Sequence, residues 1–199
     1  MTTPIILAST SPFRRQLLEQ AGLSFTTAAP DIDEREIEGR AENESLKPFE
    51  LSALLAQEKA LAVSRRFPEA LVIGGDQVMA LGDRVFHKPA NRSAARDHLI
   101  SLRGMTHSLL SGLALAKGGT VLWQHLARAD LTMRPFSDDF LETYLDRAGE
   151  RIFKSVGGYQ IEGLGIQLFS AVNGDYFTIV GVPLLPLLEE LRRMGEIDG

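Results

Sequence analysis

Short apolar runs and segments of helical period alternate along this chain, and tight-turn dipeptides interrupt the alternation at three places. Strand–helix–strand order calls for parallel pairing through crossovers, whereas a two-residue turn between apolar runs calls for antiparallel pairing. A chain that carries both is directed to an α/β fold with a mixed sheet. The first crossover is written at the start. PIILA (Pro4–Ala8) reads as a buried strand, and Pro12–Gln20 follows as a helix with Ser11 as N-cap, Pro12 at N1 and Gly22 just past its end.

The same reading carried forward predicts a strand over Ser24–Ala29, an acidic loop over Pro30–Glu44 and a long helix over Ser45–Arg66 with Pro48 in its first turn. LVIGGDQVMALGDRVFHKP then reads as a strand, a glycine pair, a second strand, a Gly82-Asp83 turn and a return strand. Asn91 caps a helix to Leu102 that Gly104 ends. Thr106–Lys117 and Thr120–Met133 are strands around Gly118-Gly119, and Ser137–Arg147 is a helix. Gln167–Val172 and Asp175–Val180 are expected to pair around Asn173-Gly174, before a closing helix over Pro183–Met194. No repeat or linker divides the 199 residues, so residues 1–199 are expected to form one domain.

Composition removes several classes of function. The chain has no cysteine, which excludes disulfides, thiolate metal sites and cysteine nucleophiles. No apolar run approaches the roughly 20 residues of a membrane span, and no secretory signal is visible, so a cytoplasmic protein is expected. A net charge of −5 with scattered basic residues argues against binding a nucleic-acid polymer. An acidic chain still binds a polyanion where cations and backbone N–H groups gather locally.

One such gathering follows the first strand. A strand that runs into a helix N-terminus aims free N–H groups and the positive end of the helix dipole at one spot. Ser9, Thr10 and Ser11 add hydroxyls there, and Arg14 and Arg15 add charge. A capped helix with two solvated arginines reads the same way. Neither G-x-x-x-x-G-K-[ST] nor G-x-G-x-x-G occurs in the chain. A second candidate is Gly74-Gly75-Asp76-Gln77 with Lys88-Pro89. Glycines at a strand end admit a ligand close to the backbone, and an aspartate there can hold a divalent cation or take a proton from water. A hairpin turning at Gly82-Asp83 is expected to return Lys88 beside Gln77; an ordinary surface hairpin is the alternative. Lys59 shares a helical stripe with Leu55, Ala56 and Val63, either as a snorkelling edge residue or as a cation turned inward. GGYQIEGLG (Gly157–Gly165) carries Glu162 in a loop that could wrap a ligand or simply turn tightly. The four histidines show no zinc spacing, and among the acidic residues 31–38 Glu34 is a candidate metal ligand.

LASTSPFRRQLLEQAG, QEKA at Gln57–Ala60, GGDQV at Gly74–Val78, HKP ending at Pro89 and EGLG at Glu162–Gly165 together resemble the Maf family in order and spacing, over nearly the whole chain. The resemblance implies an elongated mixed β-sheet flanked by helices, with two lobes around a central cleft, similar to inosine triphosphate pyrophosphatases. It implies a metal-dependent nucleoside triphosphate pyrophosphatase that yields a nucleoside monophosphate and pyrophosphate, usually as a homodimer, with Mg²⁺ or Mn²⁺ as cofactor. Matched position by position, Ser9, Arg14, Lys59 and Lys88 would bind phosphates, Asp76 would be the catalytic proton acceptor, and Glu34 with Asp76 would hold the metal.

Many members have SPRR where this chain has Ser11-Pro12-Phe13-Arg14, Asp-Thr where it has Asp76-Gln77, and Gln in place of Glu162. Those members resemble a dTTP/UTP branch, and this chain looks like the 7-methyl-GTP branch. The chemistry agrees. A Glu162 carboxylate accepts two hydrogen bonds from guanine N1–H and N2–H, and Phe13 offers a π face to the cationic 7-methylguanine. Phe13, Gln77 and Glu162 are therefore the expected specificity set. Around GGYQIEGLG and NGDYFTIVGVPL the chain also resembles the dTTP/UTP branch. A regulator of cell division and septum formation, acting by nucleotide binding alone, is the reading from a different class.

Overall fold

The computed structural model describes residues 3–198. Seven strands, β1 (Ile5–Ala8), β2 (Thr26–Thr27), β3 (Leu71–Leu81), β4 (Arg84–Phe86), β5 (Thr106–Lys117), β6 (Thr120–Met133) and β7 (Phe169–Asn173), join one mixed sheet. The hydrogen-bonded order is β2-β1-β3-β5-β6-β7, with β4 also on β3. β1 runs parallel to β2 and to β3, whereas β3 with β4 and β6 with β7 are antiparallel. The helices are α1 (Pro12–Gln20), α2 (Glu34–Asn43), α3 (Pro48–Arg66), α4 (Arg92–Leu102), α5 (Asp138–Ala148), α6 (Tyr176–Val180) and α7 (Leu184–Arg193). The expected mixed α/β architecture is present.

The chain divides into two compact units. The first holds the residues up to Gln77, Leu110–Ala127 and those from Tyr176 on; the second holds Val78–Leu109 and Arg128–Asp175. In the first unit the period-2 alternation of strands sends successive side chains to opposite faces. Ile5, Leu7, Leu71, Ile73, Leu113 and Leu115 meet α1 and α7 through Leu17, Leu18, Leu187 and Leu191. Ile6, Ala8, Val72, Ala114 and Ala116 meet α3 through Ala60, Leu61 and Val63. Both faces are covered, which is why these strands read as unbroken apolar runs.

On the α3 face two glycines set the distance. A Cβ on Gly74 would stand 2.2 Å from the Ala56 carbonyl oxygen, and one on Gly112 would stand 2.3 Å from that of Ser52. The α3 backbone therefore lies directly on β3 and β5, with Ala56 and Ala60 as its contact residues.

In the second unit Tyr159 is the centre of a buried cluster. Its ring packs against His107 and Phe169, and its hydroxyl lies 2.6 Å from His107 Nε2 and 3.8 Å from Met79 Sδ. A neutral His107 donating from Nε2 to Oη, with the Tyr159 O–H turned to Sδ, satisfies that line. Burial lowers the His107 pKa to about 4, and the charge of Asp130 opposes the shift.

Four expectations are corrected. Pro30–Glu44 is not a loop. Asp33 caps α2 by accepting from the N–H groups of Arg35 and Glu36, at 3.0 and 3.1 Å, and Ile37 and Ala41 bury an i,i+4 stripe. Two apolar positions among acids left no visible period. The next helix begins at Pro48 rather than Ser45. Ser45 sits at φ 57 and closes α2, while Glu50 accepts the Lys47 N–H at 2.8 Å to start α3. The glycine pair at 74–75 does not separate two strands; β3 runs through it without a break. Asn173-Gly174 does not turn a hairpin. β7 pairs back to β6, and Gly174 at φ 144 presses on Ala129, where a Cβ would stand 2.5 Å from that residue's Cβ. The β-branched YFTIV that follows is the short helix α6, whose Thr178 and Ile179 are buried.

Candidate active site

The parallel register places Ala8 opposite Gly74. β1 thus ends beside Gly74, partway along β3; Ser9 follows β1, and Gly75-Asp76 continue β3 just past the point where its pairing with β1 stops. Ligands of parallel α/β sheets bind beyond such carboxyl ends. Ser9 is buried, and its hydroxyl accepts from the Ser11 N–H at 3.1 Å and from Arg14 Nη1 at 3.4 Å. Ser11 in turn caps α1 through the Arg14 N–H. Arg14, one turn into α1, lies over Gly75, where a Cβ would stand 3.5 Å from its Cδ and Nε. Its Nε donates to the Gly181 carbonyl at 3.1 Å. Burial lowers the pKa of this guanidinium, and the nearby charges of Asp76 and Glu34 raise it.

The α3 face supplies the rest. Val72, Gly74 and Asp76 alternate onto it, and Lys59 is one turn beyond Ala56, the helix residue seated on Gly74. Close packing at Gly74 therefore delivers Lys59 to Asp76. The ammonium lies 2.6 Å from Asp76 Oδ1 and 2.8 Å from Glu34 Oε1. Lys59 and Asp76 are buried; Glu34, the first residue of α2, is half exposed. Of the two readings of Lys59, the inward cation is the one observed.

The structure thus gathers Ser9, Arg14, Glu34, Lys59 and Asp76 within the first unit. Gln77 belongs to the same unit but points to the opposite face, where its amide nitrogen donates to Ser111 Oγ and to the carbonyls of Thr178 and Ile179. Phe13 is half buried on α1. Lys88 and Glu162 are exposed and lie in the second unit, Lys88 two residues past β4 and Glu162 in the glycine loop. Two glycines of that loop stand where a side chain would not fit. A Cβ on Gly157 would meet Met79 Sδ at 2.6 Å, and one on Gly165 would meet the Gln160 carbonyl oxygen at 2.4 Å.

The partners sequence reasoning missed are mostly backbone. The carbonyls of Thr178, Ile179 and Gly181 carry no side-chain signature. Ser111, a polar residue inside the apolar run of β5, was the one visible signal.

Glu34 and Asp76 converge on a single cation-sized position, which Lys59 fills. Two carboxylates with the remaining ligands drawn from water and phosphate are the usual setting for Mg²⁺. Among the described residues no group of three or more His, Asp or Glu side chains forms a closed metal cage. Glu34 and Asp76 are the carboxylates here that could hold an ion shared with a phosphate-bearing ligand.

The family described as Maf-like protein matches residues 4–194. A protein of Rhizobium johnstonii named 7-methyl-GTP pyrophosphatase is 56% identical over 199 residues, covering 100% of both chains. One of the same name from Rhizobium etli is 54% identical over the same span. A Nucleoside triphosphate pyrophosphatase of Rhodospirillum rubrum is 49% identical over 195 residues, 98% of this chain and 96% of that one. A solved nucleoside-triphosphatase, titled dITP/XTP pyrophosphatase, from Mycobacterium abscessus aligns over 96% of this chain and 95% of that chain. Its 13% identity and TM-score of 0.36 are too low to carry an argument. With motifs, a matching family and full-length relatives in agreement, the chain belongs to the Maf-like protein family.

Proposed function

We propose that this chain is a nucleoside triphosphate pyrophosphatase, cleaving the α–β phosphoanhydride to a nucleoside monophosphate and pyrophosphate, with 7-methyl-GTP as preferred substrate. The observation that carries the reading is the set Ser9, Arg14, Lys59 and Asp76 around the end of β1 and the middle of β3. A hydroxyl and two cations stand beside a buried carboxylate. The names of the full-length relatives support it.

In this reading Arg14 and Lys59 neutralise the phosphates, and the first N–H groups of α1 point at the same anion. Asp76 meets Lys59 through Oδ1, which leaves Oδ2 to orient a water and take its proton. The oxygen of that water bonds to the α-phosphorus, the bond from that phosphorus to the bridging oxygen breaks, and pyrophosphate leaves with the bridge. Glu34 and Asp76 would hold a divalent ion, Mg²⁺ or Mn²⁺, which when bound supplies further charge neutralisation at the phosphates. Lys88, Glu162 and Phe13 enter through the family resemblance alone, Lys88 as a phosphate-binding residue and Phe13 and Glu162 as specificity residues. A cytoplasmic homodimer belongs to the same reading; no helix among the described residues is long and apolar enough to cross a membrane.

The test is steady-state hydrolysis of 7-methyl-GTP, GTP, UTP, dTTP and CTP with Mg²⁺ or Mn²⁺, scoring pyrophosphate and monophosphate separately. Pyrophosphate release led by 7-methyl-GTP is expected. Release led by UTP or dTTP would keep the reaction and overturn the base preference. Release of orthophosphate, or no release, would overturn the reaction itself.

A further inference from the structure

We propose that Lys59 is a tethered stand-in for the divalent cation, keeping that ion off Glu34 and Asp76 until phosphate offers its ammonium another partner; the inference rests on the pyrophosphatase reading. One position is shared by two carboxylates. Lys59 Nζ lies 2.8 Å from Glu34 Oε1 and 2.6 Å from Asp76 Oδ1. A Mg²⁺ ion on the same two oxygens would stand about 2.0–2.1 Å from each. An ammonium and a metal ion so close together, in a place largely withdrawn from water, repel each other strongly. The position therefore takes one of them at a time.

Burial makes the exchange conditional. Lys59 leaves α3 beside Ala60, where the helix backbone is seated on Gly74, and its side chain is buried. A displaced ammonium there needs a new anion within reach. The local charge gives a bare metal ion little help. Arg14 lies near enough for the charges of Asp76 and Glu34 to act on it, so two carboxylates face two cations. Their formal charges cancel, and a lone divalent ion meets no net negative charge. A triphosphate changes both terms. It brings negative charge for the metal and acceptor oxygens for Lys59. Asp76 is free to give up Oδ1, because the attacking water uses Oδ2. The ion is therefore expected to enter with the nucleotide, as its chelate, and not ahead of it.

The experiment adds Mn²⁺ alone to nucleotide-free protein, wild type against Lys59→Met, and reads binding from the EPR signal of free Mn²⁺. Lys59→Met is expected to bind Mn²⁺ at least ~10-fold more tightly, because the competing charge is gone. By linkage, Mn²⁺ also raises the melting temperature of the variant more than that of wild type. Lys59→Gln serves in both measurements if Lys59→Met does not fold. Equal affinity in wild type and variant, or binding in neither, overturns the proposal. A second readout uses wild type and needs no turnover. The ¹⁵N resonance of the Lys59 ammonium, assigned by its loss in Lys59→Arg, stays in place with Mg²⁺ alone. It moves when Mg²⁺ is added with the α,β-methylene analogue of 7-methyl-GTP, whose α–β bridge resists hydrolysis. Movement with Mg²⁺ alone overturns the proposal, as does an unmoved resonance where calorimetry shows the analogue bound. An analogue that does not bind would count against the pyrophosphatase reading instead, and the Mn²⁺ comparison would still decide whether Lys59 holds the place of the ion.

Discussion

Lys59 Nζ stands 2.6 Å from Asp76 Oδ1, and one ammonium thereby ties the middle of β3 to α3 and, through Glu34 at 2.8 Å, to α2. The pair is buried, with side chains 7% and 9% exposed. A cation and a carboxylate withdrawn from water to this extent offset each other's desolvation, and neither is tolerated alone.

That mutual dependence is measurable. Lys59→Met is expected to destabilise the fold by about 3–5 kcal/mol, because Asp76 is left buried without its partner. Asp76→Asn costs less, since Lys59 keeps the half-exposed Glu34. Lys59→Met with Asp76→Asn together recovers much of the loss. Urea denaturation of the two single variants and the double variant checks this, and additive single costs would sink it.

The glycine contacts under α3 give a sharper structural test. Gly74→Ala and Gly112→Ala each drive a methyl into helix backbone, at 2.2 and 2.3 Å, which no rotamer relieves. Each is expected to destabilise by roughly 3 kcal/mol, at the upper end of overpacking costs. Gly39→Ala is the contrast. It lies inside α2 with nothing within 4 Å of its Cβ position, and is expected to stabilise by about 0.5–1 kcal/mol. Thermal melts of the three variants decide it; equal effects at Gly74 and Gly39 would refute the close approach.

Much of this frame was legible before any coordinates. Ser11, Pro12 and Gly22 bounded α1, and Asn91 and Ser137 capped α4 and α5, because a cap is a local hydrogen bond between neighbours in sequence. The Gly118-Gly119 turn set β5 and β6 for the same reason. What stayed hidden depends on neighbours distant in sequence. The strand-like YFTIV becomes helix where Gln77 and Ser111 meet its last carbonyls. The inward turn of Lys59 required knowing that Gly74 lies under Ala56. Of the site, residue types and spacing marked Ser9, Arg14, Lys59 and Asp76 only as candidates beside ordinary structural readings, and the family resemblance supplied their roles; neither indicated that Gln77 faces away from Asp76.

A divalent ion held by Glu34 and Asp76 predicts two effects. EDTA abolishes pyrophosphate release, and added Mg²⁺ restores it. Glu34→Gln raises the Mg²⁺ concentration for half-maximal rate by about tenfold or more, with a smaller change in the saturated rate. A rate indifferent to EDTA, or an unchanged Mg²⁺ dependence in Glu34→Gln, would remove the metal from the proposed mechanism.

His107 makes the stability depend on pH in a direction that can be worked out. In the unfolded chain its pKa is near the ordinary 6.5, and in the folded protein burial lowers it to about 4. A folded pKa below the unfolded one means that the unfolded chain takes up the proton first as pH falls. The contribution is therefore complete above about pH 6.5 and is lost as the pH drops toward 4. The loss runs at up to ~1.4 kcal/mol per pH unit, roughly 3 kcal/mol in all. His107→Phe removes the titration while keeping an aromatic ring between Tyr159 and Phe169, with the Tyr159 hydroxyl still near Met79 Sδ. Urea midpoints of wild type and His107→Phe between pH 4.5 and 7.5 should diverge, with wild type losing stability more steeply below pH 6.5. Parallel curves would show that His107 takes up its proton at the same pH folded as unfolded, and that the His107–Tyr159 pair does not depend on a neutral ring.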